Sequence, residues 1–170
     1  MKNDSLTVKD IMAEIADFRQ QQKTLILATS SSEQQPLASY APFIEDNEGR
    51  FYLLLSALAE HSVNLHQHQS EHGRMSVLLI EDEHSCRNLF ARKRLSYQCE
   101  VDIWSREHSQ WQSIIKRLQE QFGKTIEVLA GLGDFKLYQL TPKQGNYVRG
   151  FGQAYELDDA KVPIFKDKSV

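Results

Sequence analysis

Three short apolar runs stand close together near the start of this chain, and they limit the fold more than any other feature. TLILAT occupies residues 24–29, LASYAPFI residues 37–44 and FYLLL residues 51–55. A parallel pair of strands needs a crossover of a dozen or more residues, and the gaps here are too short for one, so these runs predict antiparallel neighbours. The second gap, Asp46-Asn47-Glu48-Gly49, has the chemistry of a turn. Pro42 lies inside the second run and has no N–H to give a ladder, which suggests a sheet edge or a bulge.

The pattern continues downstream. MSVLLI at 75–80 is apolar enough to be buried on both faces, and RLSYQCEV at 94–101 alternates like a half-buried strand. Residues 135–140, a TPKQG turn and residues 146–157 read as a closing hairpin. Helical segments lie between and around the strands. Thr7 and Asp10 are spaced as a capping box ahead of Val8, Ile11, Met12, Ile15 and Phe18, a helix expected to end near residues 20–22. A second helix is expected over 59–69. A third, capped by Ser105, carries Trp111, Ile114, Ile115, Leu118 and Phe122 on one face and stops at Gly123. A short helix over 125–130 ends at Gly131 and Gly133. Strands and helices do not alternate as βαβ units. The expected class is therefore mainly β (α+β), a small antiparallel barrel with flanking helices. It is expected to form one domain over 1–157, with a charged tail over 158–170.

Charge narrows the function classes. Twenty Lys and Arg against 23 Asp and Glu leave a net charge of −3, so no global basic field draws the chain to nucleic acid or to anionic lipid. No apolar run reaches the ~20 residues of a membrane span, and MKNDSLTVKD has no signal-peptide core. Cys86 and Cys99 form neither a disulfide framework nor a metal-ligand spacing. A cytoplasmic protein is expected.

Few residues suggest chemistry on their own. His61, His68 and His72 share a face of the second helix, but a metal site needs three or four ligands with second-shell support and no Cys or HExxH pattern is present, so no metal is expected. His61 opens that helix directly after the FYLLLS strand, where free N–H groups and an imidazole would face an anion or a cofactor. Arg92-Lys93-Arg94 is the one tight basic run. It reads either as a solvated turn or as a clamp for phosphate or carboxylate. Asp134, beside Gly133 at a strand start, is either a turn residue or a carboxylate aimed into a site. The glycines around 131–133 and 150–152 fit turns and bulges, since neither segment has a dinucleotide or P-loop spacing.

Several segments together carry a resemblance. TLILAT, LASYAPFIEDNEGRFYLLLSALAEHSVNL, LLIEDE, LFARKRL, DFKLYQL and GNYVRGFGQAYEL, in this order, resemble the haem-utilisation (HutZ/HugZ-type) branch of the pyridoxamine-phosphate-oxidase-like split-barrel superfamily. The resemblance runs roughly from Phe18 to Leu157. It implies a six-stranded antiparallel split β-barrel and a homodimer with two sites built across the interface. Flavin-using members hold FMN there. The haem branch holds haem, which is opened with O₂ and electrons from an unidentified donor to release iron.

Residue by residue, the resemblance favours the haem branch. Flavin relatives place an Arg-Lys pair on the FMN phosphate at the positions of Glu60 and His61. A glutamate ~4 Å from a phosphate charge would cost about 4 kcal/mol at an effective dielectric of ~20. A histidine recurs at the place of His61 in the haem branch. Arg92, with Lys93 and Arg94 beside it, matches an arginine near the porphyrin, where it would hold a propionate. Asp134 matches a catalytic aspartate that hydrogen-bonds the proximal histidine. Ser39 and Tyr40 of SYAPF and Ser56 of FYLLLS complete the implied cofactor-binding set. The branch takes its iron ligand from a histidine beyond the GFGQAY strand, whereas no histidine follows His108 in this sequence. An FMN-dependent oxidoreductase and a non-enzymatic haem carrier are the alternatives.

Overall fold

The computed structural model describes residues 6–67, 75–158 and 163–164. The first helix, α1 (Val8–Gln21), begins at the expected capping box: the Asp10 N–H donates to Thr7 Oγ1 at 3.2 Å and the Thr7 N–H to Asp10 Oδ2 at 2.9 Å. Then come β1 (Thr24–Ser30), β2 (Pro36–Pro42), β3 (Ile44–Glu45), β4 (Phe51–Ser56), α2 (Glu60–Gln67) and β5 (Ser76–Ile80). A single 3₁₀ turn (Leu89–Ala91) leads into β6 (Arg94–Trp104). The chain continues through α3 (Trp111–Phe122), α4 (Lys124–Gly131), β7 (Phe135–Gly150), β8 (Gln153–Leu157) and β9 (Pro163–Ile164).

Every strand pairing is antiparallel, in the order β2-β1-β5-β6-β7-β4-β3, with β8 on β7 and β9 on β8. The six long barrel strands are those expected, and β3, β8 and β9 extend the sheet. Pro42 ends β2 on the sheet edge, where its missing N–H costs no ladder bond. Phe43 then carries the chain from one end of the sheet (β2) to the other (β3), which bends the sheet into a barrel. Its N–H bonds the Lys23 carbonyl at 3.1 Å.

The barrel interior is filled by inward-facing residues: Leu25 and Leu27 of β1, Phe51, Leu53 and Leu55 of β4, Val77 and Leu79 of β5, and Tyr97, Tyr138 and Tyr147 from the long strands. Ile11, Ile15 and Phe18 of α1 close it on one side and Leu65 of α2 on another. The intervening residues of β4, Tyr52 and Leu54, face outward into a second core with Trp104, Trp111, Ile114, Ile115, Leu118 and Ile126. Strand β4 is thus covered on both faces. Arg19 plugs one mouth of the barrel, its guanidinium 5.0 Å from the Phe51 ring centroid and 5.4 Å from that of Tyr97.

Three expectations need correction. Helix α3 does not start at Ser105, because residues 105–110 form turns in which the His108 ring stacks on Trp104 at 3.7 Å and 11°. The helix begins at Trp111 after Gln110, which makes no side-chain cap bond. TPKQG is not a turn either: β7 runs through it unbroken. Pro142 lies opposite Cys99 at the register shift that follows Tyr97, so its missing donor falls where the ladder is already interrupted. Gly145 is needed nearby, since a Cβ there would lie 2.5 Å from Tyr97 Cδ1 and 2.6 Å from the Ser96 carbonyl oxygen. The reversal comes later, at residues 151–152, where Gly152 takes a positive φ of 65°. Finally, β5 is buried on one face only; Leu78 and Ile80 on its outer face remain half-buried.

One polar cluster ties α1 to the barrel. Glu14 Oε1 accepts from Tyr147 Oη at 2.8 Å and Oε2 from Arg149 Nε at 2.7 Å, with Lys93 Nζ 3.4 Å away. Burial alone would raise the Glu14 carboxyl, but the bonds from Arg149 and Tyr147 outweigh it and hold the group below the usual glutamate range. A carboxyl depressed in the folded state stabilises the fold above its unfolded value, about pH 4, and that contribution disappears as pH falls through the folded value. Glu14→Gln is therefore expected to flatten the decline of thermal stability below about pH 4. Melting curves across that range check this, and parallel pH profiles for the two proteins would count against it.

Candidate functional site

The residues singled out in the sequence fall into two groups at opposite ends of β7. The first gathers where β4 hands over to α2. Ser56 is the last residue of β4 and stands opposite Phe135, the first of β7, which brings Asp134 beside it. Ser56 Oγ donates to Asp134 Oδ2 at 2.5 Å and accepts from the Leu58 N–H at 3.2 Å, while the Ala57 N–H bonds the Asp134 carbonyl at 2.8 Å. The chain then turns into α2, whose first turn carries Glu60, exposed, and His61, half-buried. Buried Asn64, bonded to Thr29 Oγ1 at 3.1 Å, and buried Leu65 fix the helix on the barrel. Burial pushes the His61 imidazole below the ordinary histidine range. His66 is lowered by burial and by the nearby Lys136 ammonium, and its Nε2 lies 3.2 Å from Tyr138 Oη. Both rings are therefore neutral at pH 7 and available as ligands or acceptors. His68 and His72 lie outside the described residues.

The second group forms at the mouth between β5 and β6. Arg92 Nε donates to the Glu81 carbonyl at 2.5 Å and Nη1 meets Glu83 Oε1 at 3.0 Å. The Lys93 N–H bonds Glu81 Oε2 at 3.2 Å and its ammonium faces Glu14, while Arg94 Nη1 donates to the Arg92 carbonyl at 3.0 Å. Within one chain the basic run is thus fastened to carboxylates and carbonyls. The Glu83 partner is well exposed, and such a pair exchanges readily for another anion. Beside the run, Leu89 and Phe90 project from the 3₁₀ turn and Phe151 from the β7–β8 turn, 61%, 88% and 67% exposed. A cleft of about 480 Å³ between these turns is lined by Glu81, Asn88, Ala91, Lys93, Arg149 and Phe151, among others. Sequence reasoning missed Arg149 and Phe151, although both belong to the VRGFGQ segment it quoted.

Ser39 and Tyr40 do not share a surface, because alternate residues of a strand face opposite sides. Ser39 stands opposite Leu27 and points with it toward the barrel interior, its Oγ buried without a hydrogen-bond partner. Tyr40 points outward, 63% exposed. It heads a row across the sheet in which Tyr40, Ile26, Leu78, Ser96 and Asn146 are successive register partners. Arg94 lies on the same outer face, one step along β6 from Ser96. Asp134 and the basic run are far apart. From Phe135 to Val148, the partner of Arg94, the chain covers roughly 40 Å of strand.

Among the described residues, no helix is long and apolar enough to cross a membrane. Residues 11–149 match the family model described as pyridoxamine 5'-phosphate oxidase. The chain is 42% identical over 144 residues to the heme oxygenase HutZ of Vibrio cholerae serotype O1, covering 85% of this chain and 79% of that protein. It also superposes on a crystal structure of V. cholerae HutZ, described there as a heme storage protein. The TM-score is 0.69 with 39% identity, covering 78% of this chain and 89% of that one. Campylobacter jejuni ChuZ superposes with a TM-score of 0.84 at 26% identity, covering 95% of this chain and 64% of that one. An antiparallel split barrel with this register, matched over most of its length by these relatives, identifies the chain as a member of the pyridoxamine 5'-phosphate oxidase family, in the haem-utilisation branch that includes HutZ.

Proposed function

We propose that this chain binds haem for haem-iron utilisation in the cytoplasm, in a site shared between two copies of itself. The observation that carries the reading is the pairing of cations with exposed apolar side chains at the β5–β6 mouth. Lys93, Arg149 and Phe151 line one cleft, and Arg92 and the exposed Leu89 and Phe90 lie in the adjoining 3₁₀ segment. A flat apolar ligand carrying carboxylates, such as haem, suits that surface; arginine holds its propionates and the apolar side chains cover its ring edge. The donor set at the other end of β7 also fits, since it offers a neutral imidazole at His61 and an anchored carboxylate at Asp134. The two ends are too distant to serve one ligand within a protomer. In the proposed homodimer, a two-fold related copy brings the basic mouth of one chain to the Asp134 end of the other.

Bound haem would supply the oxygen chemistry, with electrons from an unidentified donor. The chain's own residues bind and orient it. Arg92 would leave Glu83 for a propionate, His61 would line the pocket, and Asp134 would orient a proximal ligand. The names of the V. cholerae relative, a heme oxygenase in one description and a heme storage protein in another, support haem as the ligand and leave oxygenase and carrier as the two activities to separate. Spectra recorded with haemin, a reductant and oxygen separate them, because an oxygenase bleaches the Soret band and a carrier preserves it.

FMN is the second reading and rests on the family link alone. Glu60 and His61 open α2 without the two cations that a phosphate would need there. Titrating the purified protein with haemin and, separately, with FMN tests the choice. A saturable Soret shift with no flavin uptake is expected, and tight FMN binding without haem binding would overturn the proposal. His61→Ala is expected to weaken haem binding by less than tenfold, below ~1.4 kcal/mol, because His61 serves as a pocket wall. Complete loss of low-spin spectra in that variant would instead make His61 the axial ligand.

A further inference from the structure

We infer that Ser56 is a positioning residue that locks the Asp134 carboxylate with one oxygen engaged and the other left open as an acceptor toward the site. The inference rests on the haem reading above and names the part of the fold that sets this carboxylate. A serine hydroxyl has one proton to give. At Ser56 that proton goes to Asp134 Oδ2 at 2.5 Å, and the Leu58 N–H, 3.2 Å from Oγ, fixes the hydroxyl's rotation from the other side. The backbone is tied at the same place by the bond from the Ala57 N–H to the Asp134 carbonyl, 2.8 Å. Asp134 is thus held through both its side chain and its main chain, by consecutive residues of one strand end. Its Oδ1 makes no hydrogen bond among the described residues. Were Ser56 absent, the carboxylate could rotate about its terminal torsion, which is soft and roughly two-fold, and present either oxygen.

The packing makes this a specific role. Ser56 follows Tyr52 and Leu54 on the outward face of β4, at the end of the strand opposite Phe135, and is only half-buried. Its register pairing with Phe135 is made by the backbone and does not use the hydroxyl. Threonine preserves the donor in a β-branched residue that a strand accepts, whereas alanine removes only the donor.

The test is a double-mutant cycle on the full chain, using Ser56→Ala, Asp134→Asn and both together, with Ser56→Thr as the rescue. Four quantities are measured: the melting temperature of the haem-free protein, the haemin dissociation constant, the Soret position and the reduction midpoint of bound haem. Ser56→Ala is expected to weaken haemin binding about tenfold, as loss of an outer-shell partner does. It is also expected to move the Soret band and midpoint in the same direction as Asp134→Asn. The double variant should add nothing further, Ser56→Thr should restore the wild-type values, and all four haem-free proteins should stay folded. A Ser56→Ala protein with wild-type spectrum and midpoint, or effects of the two substitutions that simply add, would overturn the inference while leaving haem binding intact. A wild-type protein that gives no saturable Soret shift would overturn the haem reading, and this role for Ser56 with it.

Discussion

Arg19→Ala is expected to lower the free energy of unfolding by about 3 kcal/mol, the low end for removing one partner of a buried ion pair. The Arg19 side chain is 8% exposed, yet all its contacts are good ones. Nη2 donates to the Gly49 carbonyl at 2.8 Å and lies 2.9 Å from Glu45 Oε1, and Nε donates to Glu45 Oε2 at 3.2 Å. The guanidinium also lies over the rings of Phe51 and Tyr97, two of the largest side chains in the barrel. One residue of α1 thereby holds the β3–β4 turn and closes the barrel mouth. Alanine loses the fork and the stacking and leaves a cavity against two aromatic rings. Arg19→Lys keeps the charge without the fork and should recover only part of the loss. Urea unfolding at unchanged slope measures both. An alanine variant within about 0.5 kcal/mol of wild type would mean that the guanidinium contributes no more than a surface ion pair.

A double substitution on the outer sheet face, Ile26→Glu with Tyr40→Glu, is expected to separate the proposed dimer and to weaken haemin binding at least a hundredfold, about 2.7 kcal/mol. Tyr40 and Ile26 are direct register partners, 63% and 37% exposed, and Leu78 and Ile80 continue the apolar surface onto β5. These side chains stay exposed or half-buried, whereas the outward face of β4 is packed against α3 and α4. Placing two carboxylates side by side at Ile26 and Tyr40 opposes association with any apolar partner surface, and the outward orientation spares the core. Sedimentation equilibrium and haemin titration on the same sample read both effects. A double variant that remains dimeric would move the interface elsewhere.

Much of the architecture was legible because short-range rules govern it. The Thr7–Asp10 capping box and the Asp46 turn need only neighbouring residues: Asp46 Oδ1 accepts from the N–H groups of Glu48 and Arg50 at 3.0 and 2.9 Å. The misread elements depend on partners distant in sequence. Ser105 has the chemistry of a cap, but the Trp104–His108 stack takes up that stretch and delays α3. TPKQG has the composition of a turn, but the bulge after Tyr97 on the adjacent strand accommodates its proline. MSVLLI is apolar on both faces, but only Val77 and Leu79 are buried, because the barrel covers one side of β5 alone.

The site was legible in parts. Ser56 and Asp134 meet across the β4–β7 register, a pairing seventy-eight positions apart that no local pattern shows. The basic run was visible as charge, but Glu81, Glu83 and Glu14, which hold it, come from two other elements. Arg149 and Phe151 escaped notice because glycines dominated the reading of their segment.

Mixed dimers test most directly whether one haem site is built from two chains. Arg92→Ala and Asp134→Ala proteins, each impaired alone, are unfolded together and refolded at equal amounts, and the mixture is titrated with haemin. In a shared site, every mixed dimer regains one pocket with both native residues and loses both from the other. The Soret amplitude of the tight-binding phase should therefore return to about a quarter of the wild-type value, with wild-type affinity. A mixture that binds no better than its two components would place Arg92 and Asp134 in the same protomer's site, or in no common site, and contradict the account.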